Sequence, residues 1–165
     1  MPGLKQHLPF LFLSLLWVSC SDTTDDTFTI RMSGGYWRGG INPENTAYTV
    51  ISNGELTRTI TYLYSDSQVE HFRASPADVN ALHEYMVDNG FDTMDEYFDC
   101  AAGDTLCESF KTTYPPANPL TLELEEYGRN RIVTITVYGL TEIPVIQYPA
   151  AIDTIVIRIL DLFRE

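Results

Sequence analysis

The chain has 165 residues, 44% hydrophobic and 20% charged, with Gly 10 and Pro 9, which places it among ordinary globular chains and outside the collagenous and disordered classes. Lys and Arg number 10 against 23 Asp and Glu, a formal net charge of −13. Binding to nucleic acid rests on clustered cations that displace counterions from phosphates, so this balance argues against a nucleic acid as partner.

Residues 1–20 open with a cation at Lys5, continue through an apolar run from Leu8 to Val18 and end on Ser19 and Cys20. A bilayer-spanning helix takes ~20 apolar residues, and this run is shorter. A run of about 7–15 behind a positive residue and ahead of small residues has the dimensions of a secretory signal. The placement of Cys20 directly after Ser19 resembles the lipobox of bacterial lipoproteins, with Trp17 where that motif usually carries Leu and Leu16 one place away. The resemblance implies cleavage before Cys20, acylation of that cysteine and attachment to the outer membrane of a bacterial cell envelope. Each acyl methylene contributes roughly 0.8 kcal/mol of membrane affinity, enough with several chains to hold a water-soluble domain. Asp22, Asp25 and Asp26 then form an acidic tether over residues 20–27. Acids in that position also resemble the surface-export signal of Bacteroidetes lipoproteins, which implies display on the cell surface. The alternative is a plain secretory signal in which Cys20 is incidental.

The organisation expected is a signal peptide over residues 1–19, the tether over 20–27, and one domain over 28–165. A chain of this length buries about two-thirds of its unfolded surface, so it needs no metal or disulfide framework to fold. Cys100 and Cys107, six intervening residues apart in a glycine-containing loop, are the thiols left after Cys20. An exported compartment favours a disulfide between them. The zinc alternative asks for closer spacing and further Cys or His ligands nearby.

From Thr27 to Met32, Phe28, Ile30 and Met32 alternate with Thr29 and Arg31, the period of a half-buried strand. The segment Ser33 to Gly40 follows as a loop with four glycines around Tyr36, Trp37 and Arg38. A strand over Ala47 to Ser52 meets Asn53-Gly54, a type I′ hairpin signal, and a third strand returns over Glu55 to Tyr64. Ser75 as N-cap, Pro76 at the first helical position and Asp78 reaching back open a helix that Gly90 closes. Its buried face is expected to carry Val79, Leu82, Met86 and Tyr85. After an acidic aromatic stretch and the Cys100 to Cys107 loop, Leu120, Leu122 and Leu124 alternate with Thr121, Glu123 and Glu125. A turn over Tyr127-Gly128-Arg129-Asn130 leads into a strand over Ile132 to Tyr138. From Tyr148-Pro149 onward, Ile152, Ile155, Val156, Ile159, Leu160 and Phe163 mark a terminal amphipathic helix with Asp153, Arg158 and Asp161 towards solvent. The order βββ-α-ββ-α predicts an α+β domain, a mostly antiparallel sheet with two helices packed on one face.

Chemistry-bearing residues are sparse. His71 and His83 belong to no HExxH, no Gly-x-Ser-x-Gly elbow and no Cys/His pair, and both are read as structural or solvent-facing. The acids from Asp88 to Glu108 do not follow the ligand spacing of a calcium loop and read as a solvated face. No catalytic residue, metal or cofactor is therefore expected. Gly34, Gly35, Tyr36, Trp37 and Arg38 form the candidate binding loop, because aromatic and Arg side chains dominate interface hot spots and a glycine loop displays them. The alternative is that Tyr36 and Trp37 fold back and cap the sheet.

A first strand ending in Ser33-Gly34-Gly35-Tyr36, a hairpin, a helix opened by Ser75-Pro76, an aromatic segment, a second hairpin and a C-terminal helix together resemble the emfourin family and related bacterial lipoprotein domains. Emfourins are small protein inhibitors of thermolysin-type metallopeptidases. The likeness runs from about Phe28 to Leu162, and Trp37 to Asn45 and the Cys100 to Cys107 loop are insertions relative to it. It implies the two-layer fold, a secreted metallopeptidase as protein partner, and an inhibitory surface at the first strand and the Gly34-Gly35 loop. The function expected is a lipid-anchored binding domain of the envelope or cell surface, without catalysis. The alternative is a structural accessory subunit of an outer-membrane complex that uses an exposed sheet edge.

Overall fold

The alternating pattern after Thr27 forms strand β1 (Phe28–Ser33), and Phe28, Ile30 and Met32 are buried while Thr29 and Arg31 are not. The computed structural model describes residues 27–34, 44–62, 64–112, 119–136 and 146–164. Strands β2 (Glu44–Ile51), β3 (Glu55–Tyr62) and β4 (Gln68–Arg73) follow. Next come helix α1 (Pro76–Asp88), a 3-10 turn (Phe91–Thr93), strand β5 (Tyr97–Phe98) and helix α2 (Thr105–Thr112). Strands β6 (Leu120–Glu126) and β7 (Arg129–Ile135) and helix α3 (Ala151–Leu162) complete the order. The strands form one sheet in the order β4-β3-β2-β1-β6-β7-β5, antiparallel at every pair except β5 with β7. The α+β class with helices on one sheet face stands as expected.

Register sorts the side chains. Leu56, Val50, Ile30 and Leu124 fall in one row across β3, β2, β1 and β6, and all four are buried. Val79, Leu82 and Met86 of α1 and Ile152, Ile155, Val156 and Ile159 of α3 complete the same core. The opposite face is polar: His71, Thr57, Thr49, Arg31 and Glu123 make a neighbouring row. Arg31 there donates to Glu123 at 2.9 Å and Glu125 at 3.0 Å. Among the described residues no helix is long and apolar enough to cross a membrane.

Several elements differ from the sequence reading. Two more strands and one more helix are present. β4 escapes the period-2 pattern because its two apolar residues, Val69 and Phe72, fall on opposite faces. α2 begins inside the expected Cys100 to Cys107 loop, where the carboxylate of Asp104 accepts the Cys107 N–H at 3.0 Å and so acts as an N-cap. At Asn53-Gly54 the turn is not type I′, since Gly54 has φ 88° while Asn53 does not reach positive φ. Gly54 donates to Ile51 O at 2.8 Å, a three-residue connection with glycine in the left-handed position. The α1 cap is as read: Ser75 Oγ accepts the Asp78 N–H at 3.1 Å and donates to Asp78 Oδ2 at 2.6 Å.

Candidate functional site

Two ends of the sheet carry polar chemistry. At the first, β1 runs out through Gly34, whose φ of 79° suits glycine at the exit from the strand. Gly35, Tyr36, Trp37 and Arg38 of the expected binding loop lie outside the described residues, as does Cys20.

The same end holds the disulfide. Cys100 and Cys107 are joined, with a Cα–Cα distance of 5.6 Å, and Cys107 is fully buried. Asp99 gathers three donors beside it: the Cys100 N–H at 2.7 Å, Thr136 Oγ1 at 2.6 Å and Lys111 Nζ at 2.5 Å. The Lys111 ammonium first, then the Thr136 hydroxyl, holds the Asp99 carboxyl down to about 2. Asp99, Cys100 and Glu108 bring ligand-type atoms within 4.8 Å of one another. The Cys100 sulfur is committed to the disulfide, and Lys111 also lies 3.2 Å from Glu108, so an ammonium already occupies the place a cation would take. This is a structural ion cluster that fastens α2 to the end of β7.

His83 and His71 are placed apart. His83 stacks on Phe28 with ring centroids 4.1 Å apart and has Nε2 3.3 Å from Glu126 Oε1. That contact lacks hydrogen-bond direction, and Nε2 is a buried nitrogen without a hydrogen bond. His71 is exposed on β4, with Nδ1 3.5 Å from Thr57 Oγ1.

The second end presents a groove of about 520 Å³ where β4 turns into α1 beneath the C-terminal turn of α3. Arg73, Asp78, Leu82, Arg158, Asp161 and Arg164 line it. Arg164 pairs with Asp161 at 2.8 Å, and Asp78 is turned towards its cap hydroxyl. Arg158 lies over the Tyr85 ring at 4.2 Å. Among the described residues neither Arg73 nor Arg158 has a carboxylate partner.

Beside the groove, β4 is the outer strand of the sheet, and its residues are exposed except for half-buried Glu70 and Phe72. Ala74 N–H donates to Gly54 O at 3.0 Å, which sets the antiparallel alternation. Glu70 and Phe72 therefore face β3 with their backbone groups, while Val69, His71 and Arg73 turn N–H and C=O outward. Sequence reading singled out neither β4 nor the groove. Arg73 and Arg158 are brought together only by the packing of α3 on α1, and the local signal available, exposed Arg158 on the α3 helix, reads as solvent face.

A comparison with models of known protein families finds no match to this chain, and a comparison with curated proteins finds none either.

Proposed function

We propose that this chain is a lipid-anchored, non-catalytic binding domain of the bacterial cell envelope, displayed at the outer membrane, and that its partner is a protein. The observation that carries the binding part is the edge of β4, unpaired among the described residues, with Val69 53% exposed and outward N–H and C=O groups at alternate residues. An edge of this kind accepts an extended segment of another chain through main-chain hydrogen bonds, and alternate side chains supply specificity. It supports the accessory-subunit reading, in which the sheet edge is the contact. The anchor rests on the apolar run ending at Ser19-Cys20.

The test uses the full chain, expressed with its own leader in a Gram-negative host and labelled with a fatty-acid analogue. Label present on wild type and lost in Cys20→Ala supports the anchor, and a product that retains residues 1–19 without acyl mass refutes it. Crosslinking in intact cells then compares wild type with His71→Pro. That substitution removes an outward donor and leaves the β3–β4 ladder whole. A crosslinked partner that survives His71→Pro at wild-type yield rules out the edge. Slowing of a thermolysin-type peptidase by micromolar protein would identify that partner as the class the emfourin resemblance implies.

A further inference from the structure

Unpaired arginines are unexpected in this molecule, because 23 Asp and Glu face 10 Lys and Arg. Of the described cations, Arg31, Arg58, Lys111, Arg131 and Arg164 each have a carboxylate partner. Arg73, Arg129 and Arg158 have none, and of these three Arg73 and Arg158 share one groove. The stacking of Arg158 on Tyr85 engages the face of its guanidinium and leaves the in-plane N–H donors for an acceptor. A guanidinium binds a carboxylate through paired, charge-assisted hydrogen bonds, the geometry that a groove with two free guanidiniums offers twice. Leu82 and Ala74 give the same groove an apolar floor.

The outward groups of Val69, His71 and Arg73 lead directly into this groove, since Arg73 belongs to both. We infer that the β4 edge and the groove form one binding site for an extended acidic peptide, which adds to β4 as an eighth strand and seats its carboxylates on Arg73 and Arg158. This rests on the proposed binding function and names the chemistry of the partner. The global charge of −13 opposes an acidic ligand at long range. At physiological ionic strength the Debye length is about 8 Å, so the local guanidiniums decide the contact.

The test is fluorescence anisotropy on the full chain in detergent. The probe is a labelled peptide of about a dozen residues, long enough for one strand, with alternating Thr and Val at its centre and glutamates at both ends. Its control replaces every glutamate by glutamine. The acidic peptide is to bind at least ~10-fold more tightly than the control, a difference that one good ion pair supplies. Arg73→Ala with Arg158→Ala is to abolish that preference, His71→Pro is to weaken both peptides, and Arg129→Ala, another exposed arginine without a carboxylate partner, is to change neither. Urea midpoints within error of wild type certify the variants, and Arg158→Lys, which keeps charge but loses the fork, is to retain part of the preference.

Equal binding of the two peptides overturns the inference, and so does an Arg129→Ala loss as large as that of the groove pair. Binding to phosphatidylglycerol vesicles that disappears with the groove pair also overturns it, in favour of a membrane surface. If the acidic preference is absent while the envelope partner is still captured through β4, the inference alone falls. If capture through β4 is absent too, the proposed function falls with it.

Discussion

Gly54→Ala tests how the hairpin and the candidate site are joined. Gly54 has φ 88°, and its carbonyl accepts the Ala74 N–H at 3.0 Å at the point where β4 passes into α1. A Cβ at this position would lie 2.4 Å from the Ala74 carbonyl oxygen and 3.6 Å from Pro76 Cδ. The left-handed conformation costs an L-residue roughly 1–2 kcal/mol. The clash is with backbone, so the β2–β3 turn and the end of β4 must separate, and loss of the Ala74 hydrogen bond adds about 1 kcal/mol. The sum is on the order of 2–3 kcal/mol, a fall of ~1–2 M in the urea midpoint. Gly128→Ala is the internal comparison, because Gly128 has φ 71° but open space around it, leaving conformational strain alone. Equal midpoints for the two variants would refute the close approach at Ala74. The same substitution is to weaken acidic-peptide binding, since Arg73 and Ser75 flank the displaced residue.

Removing the disulfide by Cys100→Ala with Cys107→Ala closes no loop in the unfolded chain and is to cost about 2–3 kcal/mol in equilibrium unfolding, with peptide binding at the opposite edge unchanged. The Tyr148 hydroxyl is pushed up to about 12, first by burial and then by the Asp153 carboxylate, 3.1 Å away. A phenol raised on folding stabilises fully below its ordinary value of about 10 and loses that contribution as pH rises from about 10 to about 12. Tyr148→Phe is therefore to flatten the alkaline arm of the stability curve, and tyrosinate absorbance is to show one late-titrating group fewer. Asp99, held down to about 2, works in the other direction: its contribution is present above about 4 and is lost as pH falls towards about 2. Asp99→Asn is to shrink that acid-side loss in urea titrations at stepped pH.

Legibility followed locality. β1, β6, α1 and α3 announce themselves because each buries one face with its own period, as Phe28-Ile30-Met32 and Ile152-Ile155-Val156-Ile159 show. The Ser75 cap is likewise a contact within a few residues. β4 depends on a long-range partner: Phe72 lies inward against Phe163, with ring centroids 5.4 Å apart, while Val69 looks out, so no alternation marks it. α2 carried a readable signal in Asp104, overshadowed by Gly103 and the cysteine spacing. The groove has no local signature at all, because Arg73 of β4 and Arg158 of α3 come to line it together only through tertiary packing of segments far apart in the chain. The pairing of Cys100 with Cys107 was legible from spacing and is present.

The two edges of the sheet are treated differently, and the difference is measurable. The β7 edge is covered by β5, through Thr134 N–H to Glu96 O at 2.9 Å and Thr136 N–H to Phe98 O at 3.0 Å. Arg131 to Glu96 at 2.7 Å and the Asp99 cluster hold that short strand in place. Two-residue strands with fixed charges are a common protection against further pairing. β4 is fastened only from within: Glu70 pairs with Arg58, Arg58 lies 5.0 Å from the Phe72 ring, and Ala74 bonds to Gly54. A strand held in register on one side and, among the described residues, bare on the other loses little further entropy when a partner adds an eighth strand to it, which favours binding over disorder. Amide hydrogen exchange separates this arrangement from a frayed edge. The N–H groups of Glu70 and Phe72 are to exchange slowly, with protection approaching that of β3, while those of Val69, His71 and Arg73 exchange freely and gain protection when the acidic peptide binds. Uniformly fast exchange across Gln68–Arg73 would mean that β4 is not pre-organised, and the edge would lose its claim as the docking strand.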